Sequence, residues 1–323
     1  LASPIVSTPS TLNSDAGVLC DEMVNQELAL GIRVSRTASG TRLIDCGVAV
    51  SGSLEAGRYL ARVCLAGRAR VEWTASHSPR LLGPAVMVVT DSPMLACMAS
   101  QYAGWEVKED QYFAMGSGPM RAAAAREPLF EELGYREQAR QCVGVLESAA
   151  LPPDELCCSL AEKCGVAAAD LTLLVAPTRS QAGTVQVVAR SVETALHKLH
   201  ELGFDLTRIV SGWGVAPLPP TAKDDLAGIG RTNDAILYGG SVVLWVRGDD
   251  ASLQELGPRL PSSASRDYGR PFGEVLASYG HDFYQVDPLL FSPAQLALVN
   301  LDSGHTFRYG ERNDQVLASS FGL

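Results

Sequence analysis

An arginine and a glutamate three positions apart on a helix can do acid–base work, because the carboxylate accepts a proton and the guanidinium tunes how readily it does so. Arg190 and Glu193 have that spacing. At about 100° per residue, Val188, Val192, Ala195, Leu196, Leu199 and Leu202 fall on one face of the segment. Arg190, Glu193, His197, His200 and Glu201 fall on the other. From pattern alone, the plainer reading of that polar face is a half-exposed helix with a weak surface pair. His197 and His200, at i and i+3, could present two imidazoles to a metal, but no third ligand is identifiable, and histidines also complement a helix C-terminus. No metal is therefore assigned.

A second kind of chemistry is anion binding. Gly116-Ser117-Gly118-Pro119 precedes the alanine-rich helix Met120–Arg126, which carries Arg121. Unpaired N–H groups at a helix start beside a positive side chain suit a phosphate or carboxylate. A tight turn with proline in the first helical turn explains the spacing equally well. Two more segments are rich in glycine, proline and polar residues: Ser211–Pro220, read as a loop after a strand, and Ser262–Arg270, which carries Ser265, Arg266, Asp267 and Arg270. There is no Gly-x-Ser-x-Gly elbow, no His-Glu-x-x-His and no dinucleotide fingerprint with its acidic partner. Serine nucleophiles, zinc hydrolysis and nicotinamide binding are thus unsupported.

The elements that must position these residues follow from period and punctuation. The spacing predicts a helix over Asn13–Leu30 capped by Asn13 or Ser14, strands at Thr41–Val50, Ala61–Leu65 and Ala85–Val89, and a helix at Pro93–Ala103. The charged stretch Glu127–Gln138 lacks a period and marks an expected boundary between domains 1–138 and 139–323. Beyond it comes a β-α-β-α-β series: strand Gln141–Glu147, helix Pro153–Cys164, strand Leu171–Val175, helix Thr184–Leu202, strand Arg208–Ser211. A helix near Ala222–Ile229, strand Ser241–Val246, helix Pro271–Tyr279 and hairpin Leu296–Asn300 with Thr306–Tyr309 complete the chain.

Composition limits the partners. The chain has 323 residues, 46% of them hydrophobic, and a formal net charge of -10. That length suggests about two domains. The charge and the lack of a basic run argue against nucleic acid, which leaves a small molecule as the expected partner. The longest apolar stretches are strand-sized, so no membrane span is expected. The start, Leu1–Gly17, has no signal-peptide pattern, and the expected setting is cytoplasmic. Eight scattered cysteines without Cys-x-x-Cys spacing read as buried, reduced thiols. The cluster Cys157, Cys158 and Cys164 has no nearby histidine to complete a metal site.

Taken together, several segments resemble the motifs of methenyltetrahydromethanopterin cyclohydrolases, particularly the bacterial one-carbon branch. They include Ile44-Asp45-Cys46-Gly47, Gln101 with Ala103-Gly104-Trp105, Tyr112–Pro119, Ala176-Pro177-Thr178 and Gly183-Thr184-Val185-Gln186. Ala189-Arg190-Ser191-Val192-Glu193, Gly230–Asp234, Ser265–Gly269 and Phe291–Ala294 continue the likeness over nearly the whole chain. The resemblance implies an α+β fold, with two mixed α/β-type domains enclosing a pocket between them, and a homotrimer. It implies Arg190 and Glu193 as the catalytic pair, with a tetrahydromethanopterin-type carrier as substrate and no permanently bound cofactor. Arg179 and Trp213 are bulkier than the pattern expects and bear on pocket shape.

The implied reaction adds water to a cationic methenyl carbon held between two pterin nitrogens, giving a formyl product. The substrate supplies its own positive charge, so the missing component is a nucleophile. Glu193 would act as general base. Arg190 would lower its pKa, keep it ionised, and destabilise the cationic ground state more than the transition state. Gly116, Ser117, Gly118, Arg121, Ser265, Arg266, Asp267 and Arg270 are the candidate substrate-binding residues. The alternatives are a cyclohydrolase acting on the folate carrier, and a non-catalytic carrier-binding protein.

Overall fold

Leu171–Ala176 and Ser241–Val246, the two apolar runs of strand length, lie inside two different sheets. The computed structural model describes residues 11–76, 81, 83–282 and 285–323. Residues 1–10, on which most of the leader expectation rests, lie outside the described residues. The strands among the described residues are β1 (Arg33–Arg36), β2 (Arg42–Asp45), β3 (Arg70–Ala75), β4 (Pro84–Thr90), β5 (Trp105–Glu109) and β6 (Tyr112–Ser117). They continue with β7 (Cys142–Glu147), β8 (Leu171–Ala176), β9 (Ile209–Pro217), β10 (Ser241–Val246), β11 (Gln295–Asn300) and β12 (Thr306–Tyr309). One six-stranded sheet has the order β1-β2-β8-β7-β6-β5, and the other β12-β11-β10-β9-β4-β3. Both mix directions: β2, β8 and β7 are parallel neighbours in the first, β10 and β11 in the second. This is the expected α+β architecture.

Helices cover the sheets through their apolar faces. Leu12–Val24 and Leu54–Cys64 bury Leu19, Met23, Leu60 and Val63 against Ile44, Val143 and Leu174 of the first sheet, while Asp154–Cys164 packs Leu156 and Leu160 on its other face. The Ser191–Glu201 helix lays Val192, Ala195, Leu196 and Leu199 on Ile209 and Leu244 of the second sheet.

Several expectations are corrected. Ala61–Leu65 is not a strand. It falls in and just after the helix Leu54–Cys64, whose N-terminus is capped by Ser53 Oγ accepting from the Ala56 N–H at 3.0 Å. The first helix ends at Val24, a second short one spans Glu27–Leu30, and Thr11 is the cap. Asn13 is drawn inward instead, its side chain donating to Pro119 O and Glu137 and accepting from the Val143 N–H. The strand expected to run to Val50 stops at Asp45, because that carboxylate accepts from the N–H groups of Gly47, Val48 and Ala49 and turns the chain.

Residue 138 does not separate the sheets, since each takes strands from both sides of it. The charges of 127–138 are used inside the fold: buried Glu137 accepts from the Leu12 and Asn13 N–H groups, and Glu127 pairs with Arg121. The β-α-β-α-β series is also divided, as β7 and β8 join the first sheet and β9 the second.

Ser211–Pro217 is strand, not loop. Its glycines serve packing, for a Cβ on Gly214 would lie 2.5 Å from Ser191 Oγ, and one on Gly212 2.7 Å from Val192 Cγ1. The helix after Arg190 therefore rests on bare backbone. Gly214→Val should destabilise the protein by about 1–3 kcal/mol, the usual cost of overpacking, measured as a lowered urea midpoint. An unchanged midpoint would show that the helix can lift off the sheet freely.

Candidate active site

The helix expected over Thr184–Leu202 is two helices, Gln181–Val188 and Ser191–Glu201, with Ala189 and Arg190 in the break. Arg190 has φ -88° and ψ 8° and caps the second helix. Glu193 lies in that helix's first turn, where the macrodipole favours a negative charge. Both side chains are buried: Arg190 is 7% exposed and Glu193 6%. The polar face read as half-solvated is buried at Arg190 and Glu193, whereas His197 and His200 are partly exposed and Glu201 is exposed.

Arg190 is held from several directions. Its Nη1 donates to Gln101 O at 2.5 Å, and its Nη2 to Gln186 Oε1 at 3.0 Å, Ser117 Oγ at 3.2 Å and Cys64 Sγ at 3.7 Å. Gln101 closes a π-helical segment, Met94–Gln101, whose wide turn ends with the Tyr102 N–H donating to Cys97 O. Gln101 Nε2 donates back to Ala189 O at 3.1 Å, while its Oε1 is buried without a hydrogen bond among the described residues. Such segments frequently mark functional sites.

Glu193 is treated differently. Its nearest charged partner is Arg190, Oε2 to Nη1, at 3.9 Å, and among the described residues its carboxylate accepts no hydrogen bond. Burial is the dominant influence and raises its pKa to about 7, with Arg190 and then Arg121 pulling the other way. The expectation that Arg190 keeps this carboxylate firmly ionised is thus corrected: desolvation outweighs the arginine. The result is an acceptor poised near neutrality with its lone pairs unspent.

Gly116 and Ser117 end β6 rather than forming a loop, and Ser117 Oγ reaches Arg190. The Gly118 N–H donates to Ser100 O at 2.8 Å, so it points into the fold, and the helix that follows, Met120–Ala124, is a single short turn. Arg121 is fully buried. It pairs with Glu127, donates to Met98 O at 2.8 Å and lies over the Tyr102 and Phe130 rings. Its guanidinium is engaged inside the protein, and its influence on the site is its field at Glu193.

The Ser265–Arg270 segment is a rigid turn elsewhere on the surface of the second sheet's helices. Asp287 accepts from Ser265 Oγ and the Arg266 N–H, while buried Asp267 accepts from Tyr279 Oη and the Asp287 N–H. Tyr238 Oη donates to Arg270 O. The side chains of Arg266 and Arg270 are exposed, and the hydrogen bonds of the turn do not reach the Arg190–Glu193 pair.

One turn beyond Glu193, a cleft of about 210 Å³ is lined by Tyr102, Gly104, Glu127, His197, His200 and Glu201. His197 stacks on Tyr102 with ring centroids 5.0 Å apart and lies 3.5 Å from Glu201; His200 lies 3.2 Å from Glu132. Cys157 and Cys164 are buried on one helix and Cys158 is exposed, against the expectation that all eight thiols are buried. Among the described residues no group of three or more His, Cys, Asp or Glu side chains is placed to hold a metal ion. None of the helices of the described residues is long and apolar enough to cross a membrane.

Cys64, Gln186 and the Gln101 carbonyl are not among the sequence-derived candidates. Their part depends on distant residues meeting at one guanidinium, and only the motif likeness around Gln101 and Gln186 hinted at it. Arg179, expected to shape the pocket, pairs with Asp225. Trp213 stands on β9, paired with Val89 and Val243.

Known proteins related to this chain fall in one family. The family model described as Cyclohydrolase (MCH) matches residues 11–321. A methenyltetrahydromethanopterin cyclohydrolase of Rhodopirellula baltica is 50% identical over 91% of this chain and 90% of its own. One from Xanthobacter autotrophicus is 46% identical over 100% and 96%, and one from Methanococcoides burtonii 41% over 97% and 98%. With coverage near complete on both sides, the chain belongs to the methenyltetrahydromethanopterin cyclohydrolase family of hydrolases.

Proposed function

We propose that this protein hydrolyses the methenyl group of methenyl-tetrahydromethanopterin, or its dephospho form, with Glu193 as general base and Arg190 as its electrostatic partner. The observation that carries the reading is Glu193: nearly buried, without a hydrogen bond among the described residues, 3.9 Å from a fixed guanidinium and near neutral pKa. A carboxylate in that state takes a proton from water most effectively at cytoplasmic pH.

Water bound at Glu193 attacks the methenyl carbon. One proton passes to the carboxylate as the C–O bond forms, and the cation is discharged. Loss of the hydroxyl proton then forms the formyl C=O as one C–N bond breaks. The departing nitrogen gains a proton, so one proton is released overall. Arg190, clamped by Gln101, Ser117 and Gln186, cannot swing away from the charge it faces. Its positive field opposes that of the bound cation and favours the step that removes it. The bound cation itself also draws the Glu193 pKa down, readying the base when substrate arrives. The exposed Arg266 and Arg270 suit an anionic carrier tail. The same reading includes a homotrimer working in the cytoplasm, supported by the family likeness.

Three outcomes test it. Glu193→Gln should lower turnover by at least ~10²-fold with substrate affinity little changed, the signature of a lost general base. Arg190→Ala should also lower turnover, and the double variant should lose less than the product of the single losses because the two act as one unit. Full turnover in folded Glu193→Gln protein would leave the mechanism without its base.

The rate constant kcat/KM should rise with pH and level off above about 7, as free Glu193 loses its proton. Stability runs the other way. A carboxyl whose folded pKa is raised costs stability as pH climbs from its ordinary value near 4.5 to about 7, and Glu193→Gln should remove that decline. Chemical denaturation across that range checks the sign. Finally, Arg266→Ala should raise KM more than it lowers kcat, since holding a remote anion serves ground and transition states alike; a larger loss in kcat would place it nearer the chemistry.

A further inference from the structure

Hydrolysis frees one proton per turnover, and Glu193, which takes it first, is covered by the carrier as the carrier reacts. The carboxyl must lose that proton before the next cycle, so a path leading away from the carrier would speed its recovery.

The helix that carries Glu193 supplies a stripe leading outward. Glu193, His197 and Glu201 stand at i, i+4 and i+8 of Ser191–Glu201 and share one face. Their side chains are 8%, 20% and 44% exposed, so the stripe runs from the interior to solvent. Tyr102 spans its inner half. The ring stacks on His197, and Tyr102 Oη lies 3.4 Å from His197 Nε2. Of the charges acting on this phenol, Glu193 is the strongest, ahead of Arg121, whose guanidinium carbon is 5.0 Å from the ring centroid. Coulombic influence falls with distance, so the phenol and the base are close neighbours.

His197 Nε2 is in turn 3.5 Å from Glu201 Oε1. Both residues line the cleft of about 210 Å³, which has room for several waters at about 30 Å³ each. The other groups of the cleft are engaged: Glu127 holds Arg121, and His200 faces Glu132. Lys198, buried on the same helix, donates to Leu289 O. Burial holds the His197 imidazole below its ordinary pKa, with Glu201 opposing and His200 and Lys198 adding to the fall. The ring is therefore neutral near pH 7 and ready to accept a proton.

We propose that Tyr102, His197 and Glu201 form the proton exit of the reaction, returning Glu193 to its ionised form by way of the cleft. This exit rests on the hydrolytic reading above. Protonated Glu193 gives its proton to Tyr102 Oη as the phenol's own proton moves to His197 Nε2, which leaves a carboxylate, a neutral phenol and an imidazolium. His197 passes the Nε2 proton to Glu201, and Glu201 releases it to water. No bond of the carrier changes in these steps, so Tyr102 and His197 act through Glu193, on its recovery.

The test separates the first turnover from those that follow, using His197→Ala and Tyr102→Phe, of which the second keeps the stacked ring and removes only the hydroxyl. With enzyme in excess over the methenyl carrier, one unit above the Glu193 value of about 7, the base starts ionised. Loss of the methenyl absorbance in that first turnover should stay within about threefold of wild type. Steady-state kcat in dilute buffer should fall by roughly tenfold or more with kcat/KM nearly unchanged, since the slowed step follows the chemistry. Added imidazole should restore kcat in His197→Ala, while Glu193→Gln loses the first turnover as well. Thermal melting establishes that each variant is folded, and His197→Gln makes the same comparison if His197→Ala melts early. An undiminished kcat in dilute buffer in either variant overturns the exit, as does a loss in His197→Ala that imidazole does not rescue. A first turnover that falls as far as kcat also overturns it, and would make the Tyr102–His197 stack a support for Glu193 only. Absence of turnover in wild type would instead sink the hydrolytic reading.

Discussion

A buried guanidinium must find an acceptor for nearly every N–H it carries, and at Arg190 that requirement organises the centre of the molecule. Its acceptors come from the π-helical segment, from β6, from the helix Gln181–Val188 and from Cys64 at the end of a fourth element. Those elements belong to different layers, and their mutual position is fixed by the need to meet at one planar group. The first sheet, through Ser117, and the helix lying on the second sheet, through Arg190's own backbone, are joined there. Removing the arginine would orphan several buried acceptors at once, a loss of architecture as well as of charge.

That satisfied cation allows the unsatisfied anion beside it. Glu193 could not sit in so dry a place without a nearby positive charge, yet the 3.9 Å separation withholds the close pairing that would pin it ionised. Burial then raises its pKa to about 7. The break at Ala189–Arg190 makes this possible: a continuous helix would put Arg190 one turn below Glu193 on a common stripe, whereas the break turns the arginine back toward Gln186 and Ser117. Gly212 and Gly214 complete the arrangement by letting the second helix sit low on β9.

The legibility of these features in the sequence follows from how local their causes are. Ser241–Val246 reads as a strand because its apolar run has the right length and the signal lies within it. Ser211–Pro217 misleads because Gly212 and Gly214 look like loop residues, while their reason lies in a helix some twenty positions earlier. The charges of Glu127 and Glu137 suggest a linker because Arg121 and the N-terminal helix, their partners, are not visible in the window. Arg190 and Glu193 stood out through family likeness. The helical period alone placed them on a wet face, and nothing local announces a second layer that covers it.

The interleaving of the two sheets has a consequence for how the chain is made. β3 and β4 form a hairpin early in the chain, yet the inner edge of β4 pairs with β9, over a hundred positions later, and the first sheet is assembled from segments on both sides of that hairpin. During synthesis the hairpin emerges with a long unpaired edge, Pro84–Thr90, that must stay soluble until Ile209–Pro217 leaves the ribosome. Such nonlocal pairing slows folding and prolongs exposure of a template for wrong partners. A chain cut between the two segments lacks the strand that covers this edge of β4.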